Sequence, residues 1–435
     1  LPAMRGCALV PLVPLVPLVP LVPLVMAGCL VDNPAWLGPG TSGGSGEDTG
    51  DVDPLPLGCE PLPAAPETAI EADPTTIDDV IANAAAGATI VMREGTYDRA
   101  GRPPLAITAA RVTVRGAGDV VLDGGFTTDA IFVIRADDVT IADLALRNST
   151  ANLIRMVPAG APIMRPRLYR LELGDSVQRQ VSAEVGSEPF VDAGEVACSR
   201  FEITAEFRDT LDSCELGALR VNGGDNWHVH DNRITGHWCP SNVAETAVRF
   251  TDGARDTLVE RNVLIDNQRG IGFGGEGDVE VRAYPENPCG HIHGTIRNNA
   301  IWIGEASASQ FSDAMIYVWN GCDVQVVHNT AVSVVDVFNS MEYRFPSTTV
   351  TVANNLFSDV IMVRDGAMGQ ELGDLVVADL GLVVDPLAPD LHLRDTATAA
   401  LDQALPLTMM PVLDDFERDV RDSAPDIGAD ERLVP

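Results

Sequence analysis

Between residues 229 and 355 the chain repeats one short phrase: an aliphatic residue, two variable residues, an Asn, then a second short apolar segment. The copies are V-H-D-N-R-I (Val229 to Ile234), V-E-R-N-V-L-I (Val259 to Ile265), I-R-N-N-A-I-W (Ile296 to Trp302), V-V-H-N-T-A-V (Val326 to Val332) and V-A-N-N-L-F (Val352 to Phe357). Their Asn residues, Asn232, Asn262, Asn299, Asn329 and Asn355, are spaced 30, 37, 30 and 26 apart. A repeat of that length is one coil of a solenoid, which buries its apolar face only against its neighbours. Alternating residues before each Asn predict a β-strand, those after it a second, and a third lies upstream, ending in Gly or Asp-Gly. Asn tolerates left-handed backbone, so it suits the corner between the first two strands. Stacked at one corner, the amides can bond from coil to coil as a ladder.

Three strands per turn with an Asn ladder resembles the right-handed parallel β-helix of pectate-lyase-like proteins. The resemblance implies an all-β solenoid over about 67–377, with a short N-terminal capping helix and a C-terminal closing segment over 378–435. Thr76-Ile77-Asp78-Asp79 matches a capping box, with Val80, Ile81 and Ala84 on one face and Gly87 as a stop. D-L-H-L (Asp390 to Leu393) and D-D-F-E-R…P-D-I-G-A-D-E (Asp414 to Glu431) resemble the closing segment of secreted bacterial β-helix proteins. Asp415-Phe416 there replaces the usual Asp-Gly turn, which argues against calcium at Asp414 and Asp415.

Aligned in the same way, the third strands are L-R-V-N-G from Leu219, V-R-F-T-D-G from Val248, I-G-F-G-G from Ile271, I-Y-V-W-N-G from Ile316, M-E-Y-R-F from Met341 and I-M-V-R-D-G from Ile361. Alternation turns their first and third residues inward. One outward row is then Arg220, Arg249, Gly272, Tyr317, Glu342, Met362. The next is Asn222, Thr251, Gly274, Trp319, Arg344, Arg364. Arg forks match carboxylates, aromatic faces match sugar rings, and the two Gly leave a depression. This predicts a groove for an extended acidic polysaccharide, with Arg220, Arg249 and Glu342 as candidate catalytic residues and Asn222, Tyr317, Trp319, Arg344 and Arg364 as substrate contacts. In the resembled family the cleft runs along such a sheet, and several members use an Arg base with carboxylate-held calcium. Calcium is therefore the cofactor the resemblance implies, although its ligands are not evident in the sequence. A hydrolase would need two facing carboxylates, and the row offers Glu342 with Asp252 or Asp365 at the rim. A lyase is the better enzymatic reading; a non-catalytic adhesion or glycan-binding protein is the alternative, as is a purely solvent-facing surface with Glu342 and Arg344 as an ion pair.

Composition narrows the partners. The 435 residues carry 63 acidic and 29 basic side chains, every basic one Arg, for a net charge of -34. Nucleic acid is excluded as an expected partner. The start of the chain, with Met4-Arg5, a Val-Pro-Leu iteration from Val10 to Leu24 and then Met26-Ala27-Gly28-Cys29, reads as an export signal over 1–28. The tetrapeptide resembles a bacterial lipobox, which implies acylation of Cys29 and a protein held to the outer membrane or cell surface by its lipid; a plain cleaved signal would leave it periplasmic or secreted. Residues 29–66 form an acidic Gly/Ser/Pro tether. Cys59, Cys198, Cys214, Cys239, Cys289 and Cys322 suit three disulfides of an exported monomer, with Cys198–Cys214 and Cys239–Cys289 the expected pairings. The His228/His230 and His291/His293 pairs have a zinc-like spacing but fall out of register, so packing is expected of them, and of His237 and His328, rather than metal binding.

Overall fold

The computed structural model describes residues 58–211, 213–276, 282, 289–376, 380–407 and 411–432; Cys29 and most of the tether lie outside them. Every coil contributes to three parallel stacks. The first stack runs through Glu195–Ala197, His228–His230, Leu258–Glu260, Thr295–Arg297, Val324–Val327 and Thr349–Ala353. The second runs through Arg200–Glu202, Arg233–Thr235, Val263–Ile265, Ala300–Ile303, Thr330–Ser333 and Leu356–Phe357. Toward the N-terminus the two merge in longer strands, Thr89–Asp98, Thr113–Asp123, Thr140–Arg147 and Arg167–Leu173. The third stack has ten strands, from Leu105–Ile107 to Ile361–Arg364. This is the right-handed parallel β-helix expected from the repeat.

The repeated aliphatic residue stacks on itself, Val229 on Val259, Ile296, Val326 and Val352, all buried. The Asn residues form one continuous ladder. Each Nδ2 donates to the next Oδ1, at 2.9 Å from Asn232 to Asn262, 3.0 Å to Asn299, 2.9 Å to Asn329 and 3.0 Å to Asn355. Ser199 N–H closes one end on Asn232 Oδ1 at 3.0 Å, and Asp374 Oδ1 closes the other by accepting from Asn355 at 2.7 Å. The corner itself works differently from expectation. The left-handed residue is the one before each ladder Asn: Asp231, Arg261, Asn298, His328 and Asn354, with φ between 52° and 57°. The Asn is selected for its amide, and its neighbour takes the backbone strain.

At the N-terminal end a helix, Ile77–Ala82, buries Ile77 and Ile81 against the first coil. Its capping box does not form. Thr76 makes no side-chain cap; Asp73 Oδ1 instead accepts from Thr75 N at 2.8 Å and Thr76 N at 3.1 Å. Asp78, in the first turn, pairs with Arg99 and Arg102.

The C-terminal segment also departs from expectation, because it covers a flank rather than an end. Val383, Leu391, Leu393, Phe416 and Ile427 pack on Ile265, Ala300, Trp302, Val332 and Leu356, which point outward from the second stack. Such a contiguous apolar patch needs a cover. On the last coil Val363 is 49% and Met368 60% exposed.

The disulfides are Cys59–Cys198, Cys214–Cys239 and Cys289–Cys322, with Cα separations of 5.6, 5.4 and 6.0 Å. Both expected pairings are therefore wrong. The N-terminal segment crosses several coils, where Tyr169 Oη donates to Glu60 O at 2.8 Å and Arg170 to Cys59 O at 2.7 Å. That path brings Cys59 to the corner at Cys198, a contact no local spacing encodes.

Candidate functional site

The outward rows of the third stack have the register that alternation implies. Arg220 pairs with Arg249, Arg249 with Gly272, Gly272 with Tyr317, Tyr317 with Glu342 and Glu342 with Met362. Asn222 lies beside Thr251, Gly274 beside Trp319, and Trp319, Arg344 and Arg364 follow one another. Ten strands at about 4.8 Å make a face roughly 43 Å long.

The side chains on this face are not the open platform that the sequence suggested. Arg249 Nη1 donates to Glu245 Oε1 at 2.7 Å and Arg220 Nη1 to Glu245 Oε2 at 3.0 Å. Arg179 reaches the same Oε2 at 3.2 Å, while Glu184 holds Arg220 Nε at 3.1 Å. Burial would raise the Glu245 carboxyl, but Arg249 and Arg220 outweigh it and hold the group at about 2. Beside Tyr317 and Glu245, Arg249 is kept well above its ordinary value, so it is a poor proton acceptor. Burial pushes Asp252 up, offset in part by Arg220 and Arg249, with Glu184 adding to the rise. Arg220 and Arg249 thus hold Glu245 ionised, whereas at Asp252 burial outweighs the same two arginines.

Further along, Tyr317 and Trp319 are buried and stacked at 4.2 Å. A Cβ at Gly272 would come within 2.0 Å of the Tyr317 ring, so the glycine depression is filled by that ring. Tyr317 Oη and Thr246 Oγ1 share a hydrogen bond at 2.8 Å, and Arg269 sits 5.3 Å from the Trp319 ring centroid. Glu342 is also buried. Its partner is Arg364 at 3.3 Å, whereas Arg344 binds Asp365 and, at 2.9 Å, Glu276; the Glu342–Arg344 pair does not form. Burial raises Glu342, and Arg364 only partly offsets it. Trp319 Nε1, Glu342 Oε1 and Arg249 Nε are among the buried polar atoms of this face that have no hydrogen-bond partner among the described residues. Asn222 Oδ1 accepts from Arg220 Nε at 3.2 Å and so orients that arginine.

The third stack thus unites Arg220, Arg249 and Asn222 in one cluster, and Tyr317, Trp319, Glu342, Arg344 and Arg364 in a second, closed one. Arg179, Glu184 and Glu245 were missed by sequence reasoning. Glu184 directly follows Ala183, the partner of Val221, so it continues the row of Asn222 one coil earlier, upstream of the strands that were aligned; Glu245 stands in the connection before Val248, where strand alternation gives no signal. The calcium that the family resemblance implies finds no fitting set here. Glu184, Glu245 and Glu342 each face an arginine, and among the described residues no three carboxylates converge on this face.

The histidines are bound up in structure. His228 meets Glu260 at 3.0 Å, and His230 meets Asp231 at 2.5 Å and Glu195 at 3.5 Å. His291 stacks on Phe273 at 4.0 Å, and burial holds His237, His291 and His328 at about 3, neutral at physiological pH.

No protein-family model matches the sequence, and no curated protein matches it. Among solved structures, a pectate lyase superimposes with a TM-score of 0.52 over 82% of this chain and 90% of its own, at 11% identity. An alginate lyase from Paenibacillus sp. str. FPU-7 (TM-score 0.39, 13% identity, 69% of this chain and 97% of that one) and a polygalacturonase from Erwinia carotovora ssp. carotovora (0.35, 12%, 75% and 98%) follow. At such identities the likeness concerns fold, and the first superposition carries it. Together with the three parallel stacks, it makes this chain a right-handed parallel β-helix, the fold it shares with that pectate lyase.

Proposed function

We propose that the protein binds an extended, carboxylate-bearing polysaccharide along the third stack, with Arg220 and Arg249 as its anionic subsite. The observation that carries this reading is the convergence of two arginines from adjacent strands on the two oxygens of one carboxylate, Glu245. A uronate carboxylate in place of Glu245 would be held in the same way, because charge-assisted forks recognise the group rather than its owner. The site also supports lyase-like cleavage. Neutralising the uronate acidifies the proton beside it, and Asp252 is the nearby group suited to move a proton, in place of the firmly protonated Arg249. The fold shared with a pectate lyase favours the same substrate class.

Export and a lipid anchor at Cys29 complete the proposal, and three disulfides support the oxidising compartment it requires. The test is a panel of uronate polymers, with binding read by affinity electrophoresis and cleavage by ultraviolet absorbance of unsaturated ends and by reducing ends. Absorbing products identify a lyase, and reducing ends without absorbance a hydrolase. Binding without either identifies an adhesin. Absence of binding to every uronate polymer overturns the proposal.

A further inference from the structure

The C-terminal segment gathers side chains that carbohydrate recognition does not use. Its hairpin, Val383–Asp385 with Asp390–Leu393, presents His392, and residues 414–431 return beside it with Glu417 and Asp430. His392 Nε2 lies 3.1 Å from Glu417 Oε2, and Nδ1 lies 2.7 Å from Asp390 Oδ1. One ligand atom from each of His392, Glu417 and Asp430 falls within 4.8 Å of the other two. Asp430 is only 6% exposed, and the one hydrogen bond it accepts among the described residues is from Leu393 N–H, at 2.7 Å to Oδ2.

A carboxylate behind the ring is the device that orients a metal-binding histidine. Asp390 accepts a hydrogen bond from Nδ1–H, which leaves Nε2, the nitrogen facing Glu417, as the one that gives up its proton when a metal binds. The Glu417 side chain is 40% exposed, so an ion can enter from solvent. We propose that His392, Glu417 and Asp430 bind one divalent transition-metal ion, zinc by ligand type, with the remaining position left to water. One imidazole nitrogen and two carboxylate oxygens form a zinc set, whereas calcium takes six to eight oxygens. The ion would clamp the hairpin to the returning segment over the second stack. The site is independent of the arginine cluster.

The full chain, free of any histidine tag and stripped with a chelator, is titrated with zinc by calorimetry, and cobalt is added in parallel. One equivalent of zinc should bind, the melting temperature should rise, and cobalt should show the visible bands of a four-coordinate site. His392→Ala should lose the binding and the thermal shift. Asp390→Asn should weaken zinc roughly 10- to 100-fold, the usual cost of losing a partner behind a ligand, with folding intact. A stripped protein that takes up no zinc overturns the site and leaves an ordinary ion-pair network. So does zinc bound as tightly by folded His392→Ala, which would place the ion elsewhere, as at His228 and His230. Should His392→Ala fail to fold, zinc affinity unchanged in Asp390→Asn together with six-coordinate cobalt spectra refutes the assignment.

Discussion

Replacing Asn262 with leucine tests what holds the coils in register. The two side chains are close in size, so the change deletes hydrogen bonds with little change in volume. Asn262 is fully buried, and its Nδ2 donates to Val229 O, Glu260 O and Asn299 Oδ1, each at 3.0 Å. Its Oδ1 accepts from Asn232 N at 3.2 Å and Asn232 Nδ2 at 2.9 Å. The losses are unequal. Asn232 Nδ2 keeps Val196 O, and Asn299 Oδ1 keeps the Asn262 backbone N–H. Asn232 N–H, however, is left as a buried donor without an acceptor, at a cost of about 1 to 3 kcal/mol. The bonds to Val229 O and Glu260 O add about 1 kcal/mol each, for a total of roughly 3 to 5 kcal/mol. Urea unfolding with the disulfides intact, followed by circular dichroism, measures it. A loss below about 1 kcal/mol would show that the ladder decorates a register already set by apolar stacking.

Asp374→Asn should stabilise the fold above pH 6, because burial lifts this carboxyl to about 6 while Asn355 holds only one of its oxygens. The folded state then takes a proton more readily than the unfolded chain, so wild-type stability falls as pH rises from about 4 to 6; denaturation curves of the two proteins should converge near pH 4 and differ by about 2 kcal/mol at pH 7.5. Glu245→Gln should free the Arg220 and Arg249 forks and raise uronate affinity about tenfold, measured by calorimetry, while lowering the melting temperature; unchanged or weaker binding would remove Glu245 as a stand-in for substrate. Arg249→Ala should abolish uronate binding and also destabilise by about 1 to 3 kcal/mol, since it removes the charge-assisted bond to Glu245 Oε1 and leaves that oxygen only the Thr246 N–H. Cys29→Ser should release a membrane-fractionating, fatty-acylated protein into the soluble fraction, and wild-type protein without acyl label refutes the anchor.

The coil repeat, the stacking of Val229 on Val259 and the alignment of Arg220 with Arg249 were all legible in the sequence. Strand alternation has a period of two, and in a parallel solenoid each residue meets its counterpart one repeat away, so local pattern and tertiary contact coincide. The ladder was legible for the same reason, although its strained residue stands one place earlier because the Asn side chain must point into the stack. Outside the strands that coincidence fails. Glu245 reaches Arg220 and Arg249 from a connection of irregular length, and Tyr317 closes over Gly272 with its hydroxyl on Thr246, a residue of that same connection. Cys59 meets Cys198 across 139 residues of sequence. The outward Ile265, Trp302 and Val332 announce a cover, yet only the tertiary structure shows that residues 380–404 and 416–429 supply it. Sequence determined how the coils stack; which outward side chains reach solvent was decided by the loops and the tail, whose paths answer to packing rather than to any repeat.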